Sequence, residues 1–220
     1  MKYGLQFRDV FAAWEAFLDG VIVTLVLSCS AMVGGLVIGI ACAAARVYGP
    51  DILRRVVVAY VEVIRNTPLL VQLFLIFFGL PSLGIRLDGM TAAIITLVIN
   101  LGAYTTEIVR AGLEAVPRSQ FEAGASLGLS GLQVFRYVVL FPALKAMAPA
   151  LASQFVLLLL ATSIVSQISV PELFHAASIV QSRTFRDFEV YTVIGALYLA
   201  LALLLRGIFA ILYQWAFARR

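Results

Sequence analysis

A serine in a G-x-S-x-G pattern is the residue whose spacing most closely matches a catalytic motif. Residues 124–128 are Gly-Ala-Ser-Leu-Gly, the pattern of the nucleophile elbow of hydrolases. That elbow needs a preceding strand and a histidine base within hydrogen-bond reach of the serine. Helix signals flank Ser126 instead, and the long apolar run 146–171 separates it from His175, the only histidine. The sequence therefore argues against serine hydrolysis and predicts no catalytic residue.

The sequence also lacks the residues that a phosphate-binding loop or a metal site requires. The sequence contains no G-x-x-x-x-G-K-[ST] loop, so this chain is not expected to cradle ATP phosphates. One histidine and two cysteines are too few for a buried transition-metal site, and we expect Cys29 and Cys42 to be small core residues. The sequence predicts no metal site and no cofactor bound by this chain.

Uncharged polar side chains inside long apolar runs offer a third kind of chemistry. Polar groups are costly in lipid, so they should face one another or a cavity. Two interpretations stay open, namely hydrogen bonds between helices and the lining of a path for a zwitterion, which needs donors and acceptors but little fixed charge. The candidate path residues are Asn66, Thr67, Gln72, Asn100, Tyr104, Gln154, Thr162, Ser163 and Gln167.

The composition identifies the elements that carry these residues. The chain has 220 residues, of which 62% are hydrophobic and 13% charged, with a mean hydropathy of +1.01. Soluble domains are about 45–50% apolar and about 25% charged. The chain is therefore predicted to be an all-α polytopic membrane protein. Its net charge of +4 does not indicate nucleic acid, because the basic residues lie between apolar runs.

Five membrane spans are predicted within a single transmembrane domain, residues 1–220. A span needs about 20 mostly apolar residues. The runs that satisfy this are approximately 21–45, 56–80, 90–112, 146–170 and 190–215. The segment 113–145 is left as the longest connection, and we expect it to be cytoplasmic.

Basic residues favour an outer N-terminus and an inner C-terminus. Loops on the cytoplasmic side carry an excess of Lys and Arg. The segments assigned to the inner side contain Arg46, Arg54, Arg55, Arg110, Arg118, Arg136, Lys145, Arg219 and Arg220. Those assigned to the outer side contain Lys2, Arg8, Arg86, Arg183 and Arg186.

The segment 113–145 has the signals of two short helices. Pro117 can open a helix, and Ser119–Glu122 and Ser130–Gln133 are capping-box patterns. Gly128 is a natural helix stop. The hairpin carries the apolar residues Phe121, Leu127, Leu129 and Leu132. On this pattern alone, it either docks into a partner or packs on its own bundle.

Several charges and glycines are predicted to make contacts within the bundle. Glu62 and Arg65 either form an ion pair with each other, or Arg65 anchors the break expected at Asn-Thr-Pro, residues 66–68. Arg110 is spaced to contact Glu107 and Glu114 on its own helix. The G-x-x-x-G pattern of residues 35–39 favours close packing between helices of the same chain.

Four motifs, in order along the chain, resemble those of ABC-importer permeases of the polar amino acid branch, the histidine/glutamate/arginine permease-like family. The first is Arg-Asn-Thr-Pro-Leu-Leu-Val-Gln at 65–72, and the second is Gly-Ala-Tyr-Thr-Thr-Glu-Ile-Val-Arg-Ala-Gly at 102–112. The third resembles the EAA loop, with Glu-Ala-Gly at 122–124, Gly128 and Val-Val-Leu at 138–140. The fourth is the Thr-Ser pair at 162–163. The resemblance covers about residues 16–218.

The resemblance implies a type I ABC-importer fold in which the hairpin couples to an ATP-binding subunit. It implies a multi-pass protein of the bacterial inner membrane that imports polar amino acids together with a second permease, identical or related, two ATP-binding subunits and an extracytoplasmic solute-binding protein. ATP and Mg²⁺ would then bind to the partner subunit. The residues implied to contact that subunit are Glu122, Ala123, Gly124, Ser126, Gly128 and Leu129.

Two departures from the family pattern have consequences. The proline after the coupling loop is shifted by one, at Leu-Phe-Pro 140–142, which moves the expected helix break but retains it. Leu160 and Ala161 stand where relatives often carry a Lys-Asp pair, which favours pairing with a different, related permease. Two other classes stay open as alternatives, namely a membrane enzyme and an ATP-independent transporter or channel.

Overall fold

The computed structural model describes residues 4–217 as a bundle of helices, and no strand occurs within that range. The α-helices are α1 Arg8–Ala12, α2 Trp14–Tyr48, α3 Asp51–Arg65, α4 Leu69–Phe74, α5 Gly89–Glu114, α6 Arg118–Ser126, α7 Gly131–Val134, α8 Leu140–Ala161, α9 Leu173–Thr184 and α10 Asp187–Phe217. A π turn, Leu75–Gly79, and a 3₁₀ turn, Leu80–Leu83, extend α4. A π turn, Phe135–Val139, joins α7 to α8, and a 3₁₀ helix, Thr162–Ile168, extends α8. The predicted all-α polytopic architecture is confirmed.

Four helices of the described chain are long and apolar enough to span a membrane, by length and composition. They are α2, α5, the continuous helix Gly131–Ile168 and α10. A fifth candidate is the pair Asp51–Arg65 and Leu69–Leu83, which is bent by 109° at its break. The proposed sidedness stays a prediction, and three of the residues counted for it, Lys2, Arg219 and Arg220, lie outside the described residues.

Close packing of α2 on α5 forms the centre of the bundle. A Cβ atom added to Gly35 would lie 2.7 Å from side-chain atoms of Leu101, and Gly39 faces Thr105 in the same way. These glycines let two helix backbones approach within one chain, as the G-x-x-x-G pattern predicted. The core continues from this seam onto α8 through Phe155.

The second predicted span is not one straight helix. The expected segment 56–80 is interrupted between Arg65 and Leu69, because Pro68 cannot donate a backbone hydrogen bond and disfavours helical backbone in the residue before it. Both parts pack against α5, and the second part is Leu69–Leu83. The first part, α3, packs Val57 and Val61 against Ala103 of α5.

The helix break expected at Pro142 does not occur. The second hairpin helix does not end before residue 146 but runs through the π turn into α8. Pro142 leaves one carbonyl of the preceding turn without its donor, and the helix widens into a π turn there instead of breaking. The second helix of the hairpin is therefore continuous with a helix that is long and apolar enough to span a membrane.

Two local predictions are also corrected. Ser119 does not cap α6, because the extended backbone of Pro117 already starts that helix at Arg118. Cys29 is exposed and Cys42 only half-buried, so neither is a core residue. By contrast, the second capping box is confirmed: the Ser130 side chain accepts from the backbone of Gln133, whose side chain accepts from the Ser130 N–H at 2.8 Å.

Candidate functional site

A buried glutamine organises the break between α3 and α4. The proline ring of Pro68 leaves the carbonyl of Ile64 without its normal donor. The Gln72 amide nitrogen donates to that carbonyl oxygen at 2.8 Å and to the Thr67 hydroxyl at 2.8 Å. Gln72 is 7% exposed, so this bond satisfies a polar group that has little access to water. The structure thus brings together two predicted path residues, Thr67 and Gln72.

Helix α5 makes polar contacts with both arms of the broken helix. The side-chain nitrogen of Asn100 donates to the Gln72 side-chain oxygen at 3.0 Å. The Tyr60 hydroxyl of α3 donates to the carbonyl oxygen of Ile99 at 2.6 Å. Polar contacts therefore connect both arms of the broken helix to one stretch of α5.

The expected ion pair between Glu62 and Arg65 does not form. Asn66, a predicted path residue, donates to the Glu62 carboxylate at 3.1 Å and to its backbone carbonyl at 2.8 Å. The guanidinium carbon of Arg65 instead lies 5.5 Å from the centre of the Tyr104 ring on α5, within the range of a cation–π contact. Arg65 was not among the predicted path residues.

Two adjoining cavities lie between α5 and α8. The first has a volume of 370 Å³ and is lined by Arg65, Tyr104, Glu107 and Gln154 among others. The second, of 210 Å³, is lined by Asn100, Tyr104, Gln154 and apolar residues of α8. Tyr104 and Gln154 line both cavities, so they lie where the two cavities adjoin. Tyr104 lies 15 residues into α5, or about 22 Å along the helix.

Thr162, Ser163 and Gln167 do not line either cavity. They belong to the 3₁₀ helix, whose three residues per turn place them on other faces than a continuation of the α-helix that carries Gln154 would. Thr162 is buried and donates to the Leu159 carbonyl at 2.7 Å, and Ser163 donates to the Leu160 carbonyl at 2.8 Å. Gln167 is exposed.

A chain of charges lies at the end of α5 nearest the hairpin. Arg110 contacts Glu107 at 2.8 Å and Glu114 at 2.6 Å, which confirms the contacts expected from the spacing. Arg46 at the end of α2 also pairs with Glu107. Sequence reasoning missed this last pair, because its partners are 61 residues apart and no local spacing connects them.

The hairpin ends α6 with a backbone turn at Gly128. Gly128 has φ of +75°, a conformation that costs a residue with a Cβ about 1–2 kcal/mol. Its N–H donates to the carbonyl oxygen of Ala125 at 2.9 Å, and the N–H of Leu129 donates to that of Gly124 at 3.3 Å. These two bonds form a Schellman motif, so the predicted helix stop is confirmed.

The hairpin exposes apolar side chains. Leu127 is 80% exposed and Leu132 is 76% exposed. Gly124 is different, because it is buried and its face is covered by Val134 of the same chain. Glu122 and Ala123 are exposed, and so is Ser126, whose hydroxyl donates to the Glu122 carbonyl at 2.9 Å.

A buried carboxylate at the opposite end of the bundle was missed by sequence reasoning. Glu172 caps α9 by accepting from the backbone N–H groups of Phe174 at 2.9 Å and His175 at 2.8 Å. It also accepts from the Tyr198 hydroxyl of α10 at 2.6 Å. Burial raises the pKa of the Glu172 carboxyl, and these hydrogen bonds oppose the rise only in part. His175 lies in the first turn of α9.

Comparisons with known proteins give consistent results. A family model described as "Binding-protein-dependent transport system inner membrane component" matches residues 35–218. The "Glutamine transport system permease protein GlnP" of Escherichia coli (strain K12) is 37% identical over 206 residues, covering 91% of this chain and 94% of that protein.

Two solved structures are similar to the whole bundle. A chain of the "Crystal structure of an amino acid ABC transporter with histidines" has a TM-score of 0.91 and 36% identity, covering 96% of this chain and 99% of that one. A chain of an inward-facing MetNI methionine ABC transporter has a TM-score of 0.77 and 20% identity, covering 91% and 96%. At that identity the second similarity shows the fold alone, which is that of type I importer permeases.

Proposed function

Since the chain belongs to the family of binding-protein-dependent transport system inner membrane components, we propose that it is the permease subunit of an ATP-driven importer of amino acids. The observation that carries this proposal is the family match over residues 35–218. The 37% identity to a glutamine permease over 91% of the chain supports amino acids as the substrate class.

In this proposal the cavities between α5 and α8 belong to the translocation path. Asn100, Tyr104 and Gln154 supply hydrogen-bonding groups there without a free carboxylate. Such groups suit a zwitterion, which needs donors and acceptors for both its charges. The path is completed by a second permease, identical or related, and an extracytoplasmic binding protein delivers the substrate.

The hairpin is the element we assign to coupling. Its exposed leucines are suited to a groove on a separate ATP-binding subunit, which binds and hydrolyses ATP with Mg²⁺. Because α7 continues through the π turn into α8, a displacement of the hairpin moves the helix that carries Gln154. Gln154 lies 20 residues beyond Val134, or about 30 Å along the helix. In a bacterium the hairpin would lie on the cytoplasmic side of the inner membrane.

The test is co-purification of the complete importer with paired leucine variants. Leu132→Glu on the hairpin should release the ATP-binding subunit, because it puts a charge into an apolar contact. Leu83→Glu is the matched control, since Leu83 is also 76% exposed but lies at the other end of the bundle. We expect ATP-dependent uptake of labelled amino acids by the wild-type complex in proteoliposomes. Uptake by the isolated chain without ATP would contradict the proposal.

A further inference from the structure

Arg65 is a cation of the cavity wall that lacks a carboxylate partner. Within residues 4–217, the arginines that form ion pairs with carboxylates are Arg46, Arg54, Arg110 and Arg186, and Arg65 is not among them. The nearest acid along the chain, Glu62, is engaged by Asn66. What holds Arg65 is the Tyr104 ring, 5.5 Å from the guanidinium carbon.

The other charges lining the same cavity neutralise one another. Glu107 is contacted by both Arg46 and Arg110, and Arg110 also contacts Glu114. None of these carboxylates is therefore left to compensate Arg65. A charge at membrane depth is costly unless paired, and a helix end and an aromatic ring offset only part of that cost.

The cavity beside Arg65 has the size and the lining of a small-molecule site. Its 370 Å³ lies within the range of ordinary ligand pockets, about 300–1,000 Å³. Tyr104 and Gln154 are half-buried in its wall, and neither the Tyr104 hydroxyl nor the Gln154 amide has a hydrogen-bond partner within residues 4–217. A cation and two unused polar groups thus converge on one space.

Resting on the proposed function, we propose that Arg65 receives the α-carboxylate of the amino acid as it passes between the two cavities. A guanidinium binds a carboxylate through two parallel hydrogen bonds, a geometry that an ammonium group does not reproduce. Tyr104 orients the guanidinium, and Gln154 lies where the two cavities adjoin. Since every amino acid has an α-carboxylate, this subsite recognises the class, and the neighbouring cavity at Asn100 and Ala161 accommodates the side chain.

The test compares amino acids with their α-amides, in which a carboxamide replaces the α-carboxylate. Binding of tritiated L-glutamine and L-histidine to the nucleotide-free complex of permease and ATP-binding subunits is competed with each unlabelled amino acid and with its α-amide. The extracytoplasmic binding protein is left out of this assay, because its own amino acid site would mask that of the permease. We expect the wild-type complex to prefer the amino acid by about 10- to 100-fold, the range of a hydrogen bond to a charged group. Arg65→Gln should reduce that preference to about one, and Arg65→Lys should give an intermediate value.

Arg206→Gln is the matched control. Arg206 is also exposed and without an ion pair within the described residues, but it lines a different cavity, with Pro149, Ser153 and Phe209. This variant should keep the wild-type preference.

The outcomes distinguish a failure of the Arg65 subsite from a failure of the proposed function. If Arg65→Gln weakens binding but leaves the preference for the carboxylate intact, Arg65 is only a structural anchor of the break and the inference is wrong. The proposed function would survive that result, provided that the wild-type complex imports amino acids with ATP. If the wild-type complex neither binds nor imports any of the twenty common amino acids, the inference and the proposed function fail together.

Discussion

The side-chain nitrogen of Gln72 lies 2.8 Å from the carbonyl oxygen of Ile64, where it replaces the backbone donor that Pro68 lacks. The 109° bend between α3 and α4 therefore leaves this carbonyl satisfied. The bond also fixes the direction in which α3 leaves the break. Arg65 is the last residue of that helix, so Gln72 contributes indirectly to placing the guanidinium over Tyr104.

Replacing Gln72 by leucine should destabilise the permease. The substitution keeps the approximate volume but leaves the Ile64 carbonyl and the Asn100 amide without a partner, at a cost of about 1–3 kcal/mol. The measurement is the melting temperature of the purified protein in detergent. Gln120→Leu is the control, because the Gln120 side chain makes no hydrogen bond within the described chain. Equal melting temperatures for the two variants would contradict this role for Gln72.

Replacing Gly35 by alanine should be costly because of the contact with Leu101. The new Cβ would lie 2.7 Å from three atoms of that side chain, and such overpacking costs about 1–3 kcal/mol. Gly207→Ala in α10 is the control, since nothing lies within 4 Å of its added Cβ. There alanine should instead stabilise the helix by about 0.5–1 kcal/mol. Opposite shifts in melting temperature are expected, and shifts of the same sign would count against the packing described for α2 and α5.

Substitution of Gly128 should uncouple the transporter without preventing its insertion. Valine at φ of +75° is strained by about 1–2 kcal/mol, enough to change a conformational equilibrium about 5- to 30-fold. Gly131→Val is the control, because Gly131 has neither a positive φ nor a neighbour within 4 Å. The readout is ATP hydrolysis stimulated by substrate and binding protein, with the amount in the membrane measured in parallel. Normal stimulation in Gly128→Val would show that this turn is dispensable.

Glu107 and Glu114 should differ in their contribution to stability, although both contact Arg110. The Glu107 side chain is 18% exposed and contacts two arginines, whereas that of Glu114 is 64% exposed and contacts one. Glu107→Gln should cost about 1–3 kcal/mol, between the values for exposed and buried ion pairs, and Glu114→Gln less than about 1 kcal/mol. Thermal unfolding at low and high salt gives the comparison. A larger loss at Glu114 would be inconsistent with this charge network.

Glu172 should make stability depend on pH. Burial raises the pKa of its carboxyl above the ordinary value of 4.5, so the folded state binds this proton more tightly than the unfolded chain does. The contribution of the group is complete below pH 4.5 and decreases as the pH rises through the folded pKa. From pH 4.5 upward, the melting temperature of the wild type should therefore fall relative to that of Glu172→Gln. A wild-type melting temperature that stays constant or rises relative to that of Glu172→Gln over that range would refute the assignment.

The hairpin illustrates how far local patterns reach. Gly128 and the capping box at Ser130 were predicted correctly, because a helix end is decided by the backbone and by side chains within four residues. The continuity of α7 with α8 was not predicted. Pro142 predicts a helix break, but the helix instead widens into the π turn Phe135–Val139 that precedes it. Similarly, Thr162 and Gln167 were predicted to line the path, but the 3₁₀ helix that carries them does not bring them into either cavity.

The sequence by itself determined the class of the protein, the approximate apolar runs, the helical hairpin and the family. These features depend on composition and on neighbours along the chain. Only the tertiary structure decided which side chains meet: Arg46 with Glu107, Arg65 with Tyr104, and Glu172 with Tyr198. Each of these pairs joins different helices, and its geometry depends on how those helices are rotated and shifted against one another. Helix periodicity determines which residues share a face of a helix. Only the packing of the helices determines which residues that face contacts.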